Sequence, residues 1–130
     1  MKCLSFRPGW AWAVMFGGKT VENRSWNTNY RGPLAVHASS SRADLYDILE
    51  RAQKLSGKKV PDEIDVGAVI GVVDLVDCLP ADTPLKKPDA KWAAPGCYHW
   101  LLRNPRPCEP FDIKGKLMLW DVPSRRIRLQ

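Results

Sequence analysis

Three ionisable side chains lie close together near the start of the sequence, in the segment GGKTVENR. Lys19 follows a pair of glycines, and Glu22 and Arg24 come shortly after it. If this segment is a β-strand, Glu22 and Arg24 share one face, because side chains alternate along a strand. A desolvated carboxylate can take a proton from water, and lysine or arginine can stabilise developing negative charge. The alternative is a solvated cluster that makes weak surface ion pairs.

Tryptophan is frequent in this sequence, with 6 in 130 residues. A nucleobase can stack on such a ring beside hydrogen-bond donors and a cation, and each stacked base is worth about 1–3 kcal/mol. Trp26 is predicted on the face of Glu22 and Arg24, and Trp92 and Tyr98 are further candidates for stacking. Packing in the core is the alternative for each ring. It is the preferred interpretation for three other tryptophans, Trp10, Trp12 and Trp120.

Two other polar residues are candidates for binding a substrate. Thr20 shares the predicted face of Glu22, and His37 ends a short strand, where side chains can point into a pocket. A hydrogen-bonded structural histidine is the alternative for His37. The sequence contains no Ser/His/Asp order, glycine-rich phosphate loop or HExxH motif, and its 4 cysteines form no CxxC pair. We therefore predict neither a metal site nor a cofactor.

The net charge of +6 is unevenly distributed along the chain. Residues 1–37 and 101–130 each carry +4, whereas residues 38–100 carry −2. A basic surface where the two ends meet would suit an anionic partner such as nucleic acid, although ordinary solubility charge is an alternative. Basic residues near the C-terminus could form a phosphate-binding surface, and they include Arg103, Arg106, Arg125, Arg126 and Arg128.

The elements that must position these residues are mostly strands. A helix is predicted at 8–16, where Pro8 suits the first turn and Gly17 the end. A second helix begins at a capping box of Ser41 and Asp44 and ends before Gly57. Strands are predicted at 2–6, 19–26, 34–39, 66–79 with a bulge near Gly71, 97–103 and 111–122, and the proline-rich segment 104–110 is predicted to be a connection.

This order predicts an α+β fold that is mainly β, a small barrel with one or two packed helices, in a single domain spanning residues 1–130. No apolar run approaches the roughly 18–20 residues that span a bilayer, and the start lacks the apolar stretch of a signal peptide. We expect a soluble, cytoplasmic monomer with no membrane partner.

Several segments are recognisable as a family pattern, namely LSFRPGWAWAVMFGGKTVENRSW, YRGPLAVHAS, GVVDLVD, YHWLLRNPRP and IKGKLMLWDV. Together they resemble the ASCH (activating signal cointegrator homology) family, relatives of the PUA-like barrels, and single-domain members in particular. The GxKxxExR motif of that family is filled by Gly17, Lys19, Glu22 and Arg24. The resemblance implies a β-barrel with a cleft near this segment, and RNA or nucleobases as ligands.

Some small members of the family resemble amidohydrolases that remove acyl groups from the exocyclic amine of cytidine. They use the motif lysine and a hydroxyl residue three positions later, where this sequence has Glu22. Water is then the candidate nucleophile, with Glu22 as base, Lys19 stabilising the oxyanion and Arg24 holding the base or a phosphate. Trp26 and Tyr98 are expected to sandwich the ring.

The sequence thus predicts hydrolysis of an N-acylated cytosine nucleoside or modified RNA base, without a cofactor. Two alternatives remain at this point. One is a non-catalytic RNA-binding module, whose affinity would fall steeply with salt. The other is a single-strand ribonuclease that uses Lys19 with a tyrosine or histidine.

Overall fold

The computed structural model describes residues 1–130 as one six-stranded sheet with two α-helices, of which the first packs against the sheet and the second against the first. The elements in chain order are β1 (Lys2–Phe6), α1 (Pro8–Phe16), β2 (Val21–Arg24), β3 (Gly32–Ala38), α2 (Leu45–Ser56), β4 (Ala68–Leu79), β5 (Tyr98–Asp112) and β6 (Trp120–Asp121). Single 3₁₀ turns lie at Ala90–Trp92 and Ser124–Arg126. Neither α-helix is long and apolar enough to cross a membrane.

The prediction of a mainly β α+β fold is confirmed, but the prediction of a closed barrel is wrong. The strand order is β2-β5-β4-β3-β1-β6, so β2 and β6 are free edges. Closing a sheet requires its two edge strands to pair along their length. Here β2 has 4 residues and β6 only 2, and each pairs with a single neighbour inside the sheet.

Helix α1 is the centre of the packing and leads directly to the motif lysine. Its residues from Ala11 to Met15 are all buried, between the sheet and α2. Gly9 permits the close approach of α2, because a Cβ there would lie 2.6 Å from Cγ2 of Ile48. After the helix, Gly18 has a φ of 74°, which turns the chain so that the N–H of Lys19 donates to the carbonyl of Ala13.

The two helices follow most of the predicted signals. Helix α1 has the predicted bounds, with Pro8 in its first turn. Helix α2 ends as predicted at Gly57, which has a φ of 70°. The predicted capping box is wrong, because Asp44 adopts a left-handed conformation and makes no side-chain cap bond. The hydroxyl of Ser41 instead accepts from the nearby N–H of Ala43.

The second half of the chain differs most from the sequence expectation. The proline-rich segment 104–110 is the middle of β5 and not a connection. β2 covers only residues 98–101 of β5, and the β4–β5 ladder is bulged, so the missing proline N–H groups break few ladder bonds. The predicted strand at 111–122 is mostly a loop, since only residues 111–112 and 120–121 are in strands.

The predicted bulge near Gly71 is confirmed, and the residue lies where three elements meet. A Cβ at Gly71 would overlap Sδ of Met15 on α1 and would lie 2.6 Å from the carbonyl oxygen of Arg106 on β5. The side chain of Met15 can move, but the carbonyl of Arg106 is backbone and cannot yield without moving β5.

We therefore expect Gly71→Ala to lower the free energy of unfolding by about 1–3 kcal/mol, the usual cost of overpacking. Urea denaturation followed by tryptophan fluorescence measures this change. Val76→Thr, at an exposed site on the same strand, is the matched control and should shift stability by about 0.5 kcal/mol or less. Equal stability of the native protein and Gly71→Ala would contradict this account of the packing.

Candidate functional site

Lys19, Glu22 and Arg24 line one cavity of about 460 Å³ at the end of the sheet where β2 begins. Its walls come from β1, both helices, β2 and the segment around Trp92. The remaining lining residues are Ser5, Phe6, Arg7, Trp10, Asn23, Ser39, Arg51, Leu55, Lys91, Trp92 and Ala94. The short strand thus brings the three charged residues of the motif to a single concave site.

The carboxylate of Glu22 lies between two cations. Its Oε2 accepts from Nε of Arg24 at 3.0 Å and lies 2.8 Å from Nη2 of the same guanidinium. Its Oε1 lies 3.7 Å from Nζ of Lys19. Glu22 is buried, so its charge depends on these two partners for compensation. Each carboxylate oxygen is therefore already occupied by a cation.

The ammonium of Lys19 is the most deeply buried charge in the protein, at 4% exposure of the residue. Nζ lies 4.5 Å from the ring centre of Trp10 and 5.4 Å from that of Trp92. Burial lowers the pKa of Lys19, and the negative charge of Glu22 opposes that shift only in part. Its only ion-pair partner is Oε1 of Glu22, so Nζ retains hydrogen-bonding capacity for a ligand in the cavity.

Arg24 connects this cluster to β1, which is not a neighbour of β2 in the sheet. Its Nη2 donates to the carbonyl oxygen of Ser5 on β1 at 2.7 Å, and its guanidinium carbon lies 5.3 Å from the ring centre of Phe6. Nη1 has no protein acceptor. A donor of this kind at the wall of a cavity can bind a carbonyl oxygen or an anion.

Asn23 holds the segment that carries Trp92 over the cavity. Its Nδ2 donates to the carbonyl of Trp92, and its Oδ1 accepts from the N–H of Ala94, each at 2.9 Å. The ring of His99 lies 3.1 Å from the same Oδ1. Farther along, Arg103 makes a 2.9 Å ion pair with Asp89. Side chains of β2 and β5 therefore fix a loop that has no strand of its own.

The structure brings Trp92 to this cavity but not the other four predicted binding residues. Trp26 lies beyond the end of β2, with its ring edge-on to the core residue Trp100 at 4.7 Å. Tyr98 packs against the same core cluster. Thr20 does not line the cavity, and its buried hydroxyl has no partner. The predicted sandwich of Trp26 and Tyr98 fails because the strand ends two residues too early.

His37 lies at a different cavity and is fixed by the fold. Its Nδ1 lies 2.9 Å from the hydroxyl of Ser5, and its Nε2 lies 2.8 Å from the carbonyl oxygen of Ile113. Burial lowers the pKa of His37. The neutral ring donates from Nε2 to the carbonyl and accepts the Ser5 hydroxyl proton at Nδ1.

The sequence interpretation missed Trp10 and Arg51, which both line the cavity. Trp10 was expected in the core, yet its ring centre lies 4.5 Å from Nζ of Lys19 and 5.3 Å from the guanidinium carbon of Arg51. Trp10 lies only nine residues before Lys19 in the chain, but the sequence does not show that its ring contacts this ammonium. Arg51 lies on α2, and no sequence signal connects that helix to the motif.

The rim of this cavity is positively charged. Arg51 and Lys91 have no carboxylate partner, whereas Arg7 is 3.6 Å from Asp44. Among the C-terminal bases, Arg103 and Arg106 are held by acids within the fold. The others, Arg125, Arg126 and Arg128, line a separate cavity with Phe111. No group of three or more His, Cys, Asp and Glu side chains lies close enough together to hold a metal ion.

The open, mainly β sheet with two helices is a fold of the PUA-like class. The chain belongs to the ASCH family: the model of the ASCH domain matches residues 4–112. It is 32% identical to activating signal cointegrator 1 of Mus musculus and of Homo sapiens, over 95% of this chain. The match spans 22% of the length of those relatives.

Solved structures agree with this assignment at the level of the fold. An ASCH protein from Zymomonas mobilis superposes with a TM-score of 0.58 at 16% identity, covering 95% of this chain and 88% of its own. A point variant of that protein gives a TM-score of 0.56 at 15% identity, covering 94% and 89%. The expected family is therefore confirmed, with the open sheet described above.

Asn23 makes hydrogen bonds to two backbone groups of the segment around Trp92. We therefore expect Asn23→Ala to make this segment of the cavity wall more mobile. Leaving such groups unpaired costs about 1–3 kcal/mol. The measurement is hydrogen exchange of residues 90–96, which should become faster, together with the fluorescence of Trp92. Asn27→Ala, at an exposed position after β2, is the control. Unchanged exchange in Asn23→Ala would show that other contacts hold the segment.

Proposed function

We propose that the cavity binds a nucleobase and that the protein hydrolyses an acyl group from the exocyclic amine of cytosine. One observation supports this most strongly. A buried ammonium lies 4.5 Å and 5.4 Å from the centres of two indole rings and retains hydrogen-bonding capacity, at a cavity of about 460 Å³ with a cationic rim. That volume falls within the range of roughly 300–1,000 Å³ typical of small-molecule sites.

The binding step uses the rings and the rim. A pyrimidine offers a flat face to an indole and polar atoms at its edge, and stacking contributes about 1–3 kcal/mol per base. Trp10, which is half-buried, takes the place that the sequence gave to Trp26 and Tyr98, whereas Trp92 is buried in a core cluster and only borders the cavity. Arg51 and Lys91 at the rim then bind a phosphate, if the ligand carries one.

The chemical step follows from the environment of Lys19. Burial lowers its pKa, so a larger share of the amine is neutral than in water and can accept a proton. Water attacks the acyl carbon and gives a proton to Nζ. The carbonyl oxygen becomes an oxyanion near Nη1 of Arg24. The carbon–nitrogen bond then breaks, and Nζ returns the proton to the departing amine, leaving cytosine and a carboxylic acid.

Glu22 has a different role in this proposal from the one that the sequence suggested. Both of its oxygens already face cations, at 2.8 Å and 3.7 Å, so it is poorly placed to act as the base. It orients Lys19 and Arg24 toward the cavity instead. In this proposal Lys19 takes the proton in place of Glu22. Arg24 stabilises the oxyanion in place of Lys19.

A second candidate function is nucleic-acid binding without hydrolysis. The observation that favours it is the excess of positive charge at the rim, since Arg51 and Lys91 have no acidic partner. A ribonuclease has less support, because an acid–base pair needs a tyrosine or histidine beside Lys19 and none lines this cavity.

We expect N4-acetylcytidine to be hydrolysed, with a rate that rises with pH as Lys19 loses its proton. The rise should occur below the ordinary lysine pKa of 10.5, because burial lowers this pKa. Lys19→Met should lower kcat by about 10²–10⁴-fold, as expected for loss of a general base. Release of acetate followed by chromatography measures turnover, and the surface variant Lys59→Met is the control.

Absence of turnover by the native protein, or equal turnover by Lys19→Met, contradicts the hydrolytic proposal. Glu22→Gln separates the two possible bases. If Glu22 only orients its neighbours, the rate in this variant should still rise with pH, but at lower pH than in the native protein, because the charge that raises the pKa of Lys19 is gone. Loss of the pH dependence would identify Glu22 as the base.

A comparison of Trp10, which lines the cavity, with Trp26, which the sequence placed there but which packs on Trp100, provides a test of base binding. We expect Trp10→Leu to weaken cytidine binding by about tenfold, since it removes a ring from the cavity wall. Trp26→Leu should leave the affinity of the folded protein unchanged, although it lowers stability by removing a ring packed on Trp100. Calorimetric titration measures both. The opposite pattern would place the base at Trp26.

A further inference from the structure

A separate cavity of about 330 Å³ lies between α1, the segment that follows α2 and the start of β4. It shares no lining residue with the motif cavity. Its volume is at the lower end of the range of roughly 300–1,000 Å³ for small-molecule sites, which suits a ligand with a single ring. Most of its wall is apolar, and the lining residues are Pro8, Trp12, Phe16, Pro61, Glu63, Ile64, Asp65 and Ile70.

One wall of this cavity is a row of side chains along α1. Pro8, Trp12 and Phe16 are spaced by four residues, so they follow one another along one face of the helix. Trp12 is buried, whereas Phe16 is 44% exposed, which is unusual for a side chain of this size and hydrophobicity. The helix therefore presents two aromatic rings to one ligand-sized space, and one of them is accessible from solvent.

The other wall is the segment between α2 and β4, and it carries two carboxylates. Ile64 is half-buried and packs on the core cluster that contains Trp12 and Val60, so it fixes this segment in place. Glu63 and Asp65 lie on either side of Ile64 and are exposed. Neither acid accepts a hydrogen bond, and the ion pairs of the protein all involve other acids. The cavity thus combines an apolar wall with two uncompensated negative charges.

A lysine lies at the end of α1 but does not neutralise these acids. Nζ of Lys58 donates to the carbonyl oxygen of Phe16 at 3.1 Å, and Lys58 does not line the cavity. A cation at that position complements the negative end of the helix dipole. The carboxylates of Glu63 and Asp65 therefore remain available to a positively charged group, in a protein whose own net charge is +6.

We propose that this cavity binds a small hydrophobic amine, in which an aromatic ring is joined by a short alkyl chain to a protonated ammonium group. The ring contacts Trp12 and Phe16, and the ammonium pairs with the carboxylates of Glu63 and Asp65. Burial of the ring provides most of the affinity, because the walls are largely apolar. The two carboxylates provide selectivity for a cation over a neutral or anionic compound of the same size. This site is independent of the nucleobase site, since the two cavities share no residue.

Three probes of nearly equal size test the role of charge, namely phenethylamine, phenylethanol and phenylpropionate, which are positive, neutral and negative. We expect phenethylamine, added to the isotope-labelled full chain, to shift the NMR signals of Trp12, Phe16 and Ile64 in a saturable manner. Phenylethanol should bind about tenfold more weakly, because it makes no ion pair with the two exposed carboxylates. Phenylpropionate should bind more weakly still. The affinity for phenethylamine should fall as salt is added, since salt screens exposed charges.

Variants of the two walls separate charge from shape. Glu63→Gln combined with Asp65→Asn should weaken the binding of phenethylamine about tenfold and leave that of phenylethanol unchanged. The charge-matched control is Asp47→Asn with Asp62→Asn, two exposed acids that do not line the cavity, and it should bind as the native protein does. Phe16→Ala should weaken the binding of both compounds about tenfold, because it removes an aromatic ring from the wall. Circular dichroism checks that each variant is folded.

Equal affinity for phenethylamine and phenylethanol, an equal loss in the Asp47/Asp62 control, or no binding of the amine by the native protein overturns the proposal. Self-association that is lost in Phe16→Ala also overturns it, since a second copy of the chain would then occupy the cavity. Hydrolysis of N4-acetylcytidine should be unaffected by the amine and by all of these variants. Failure of amine binding is therefore distinguishable from failure of the proposed hydrolysis.

Discussion

The burial of the Lys19 ammonium is the constraint on which the site depends. Taking an ammonium out of water costs several kcal/mol unless a partner compensates for it. Glu22 supplies the opposite charge but is itself buried, so it needs Arg24, and Arg24 is held by the carbonyl of Ser5 on β1. One buried charge therefore fixes the positions of α1, β2 and β1 relative to one another. The same burial lowers the pKa of Lys19, so the packing around this side chain also affects the protonation of its amine.

The rest of the architecture supplies the walls that exclude water from this ammonium. Trp10 on α1 and Trp92 in a loop cover it from two sides. The loop has no regular strand, so side chains hold it, through Asn23 and through the Arg103–Asp89 pair. His37 has a comparable role at the adjoining cavity, where it joins β3 to the carbonyl of Ile113. His37 and Arg103, which the sequence suggested as ligand-binding residues, thus hold neighbouring segments of the fold in place.

Sequence reasoning succeeded where local signals are strong. Pro8 and the glycines after Phe16 bound α1, Gly57 ends α2, and the β-branched run of β4 forms a strand with a bulge at Gly71. It failed in the segment 104–110, where prolines indicated a connection, and in 111–122, which was predicted to be a strand and is mostly a loop. In the segment 104–110 the ladder between β4 and β5 overrides local preference, because its bulges and its one-sided pairing tolerate proline.

The sequence by itself determined the family, the mainly β composition and the grouping of Lys19, Glu22 and Arg24, because residues so close in the chain stay close in any fold. Only the tertiary structure decided which aromatic rings face them. Trp26 is near in sequence, but β2 ends at Arg24 and its ring packs on Trp100. Trp10, Trp92 and Arg51 come from two helices and a loop. Contacts between distant segments depend on packing and strand register, which local residue patterns do not specify.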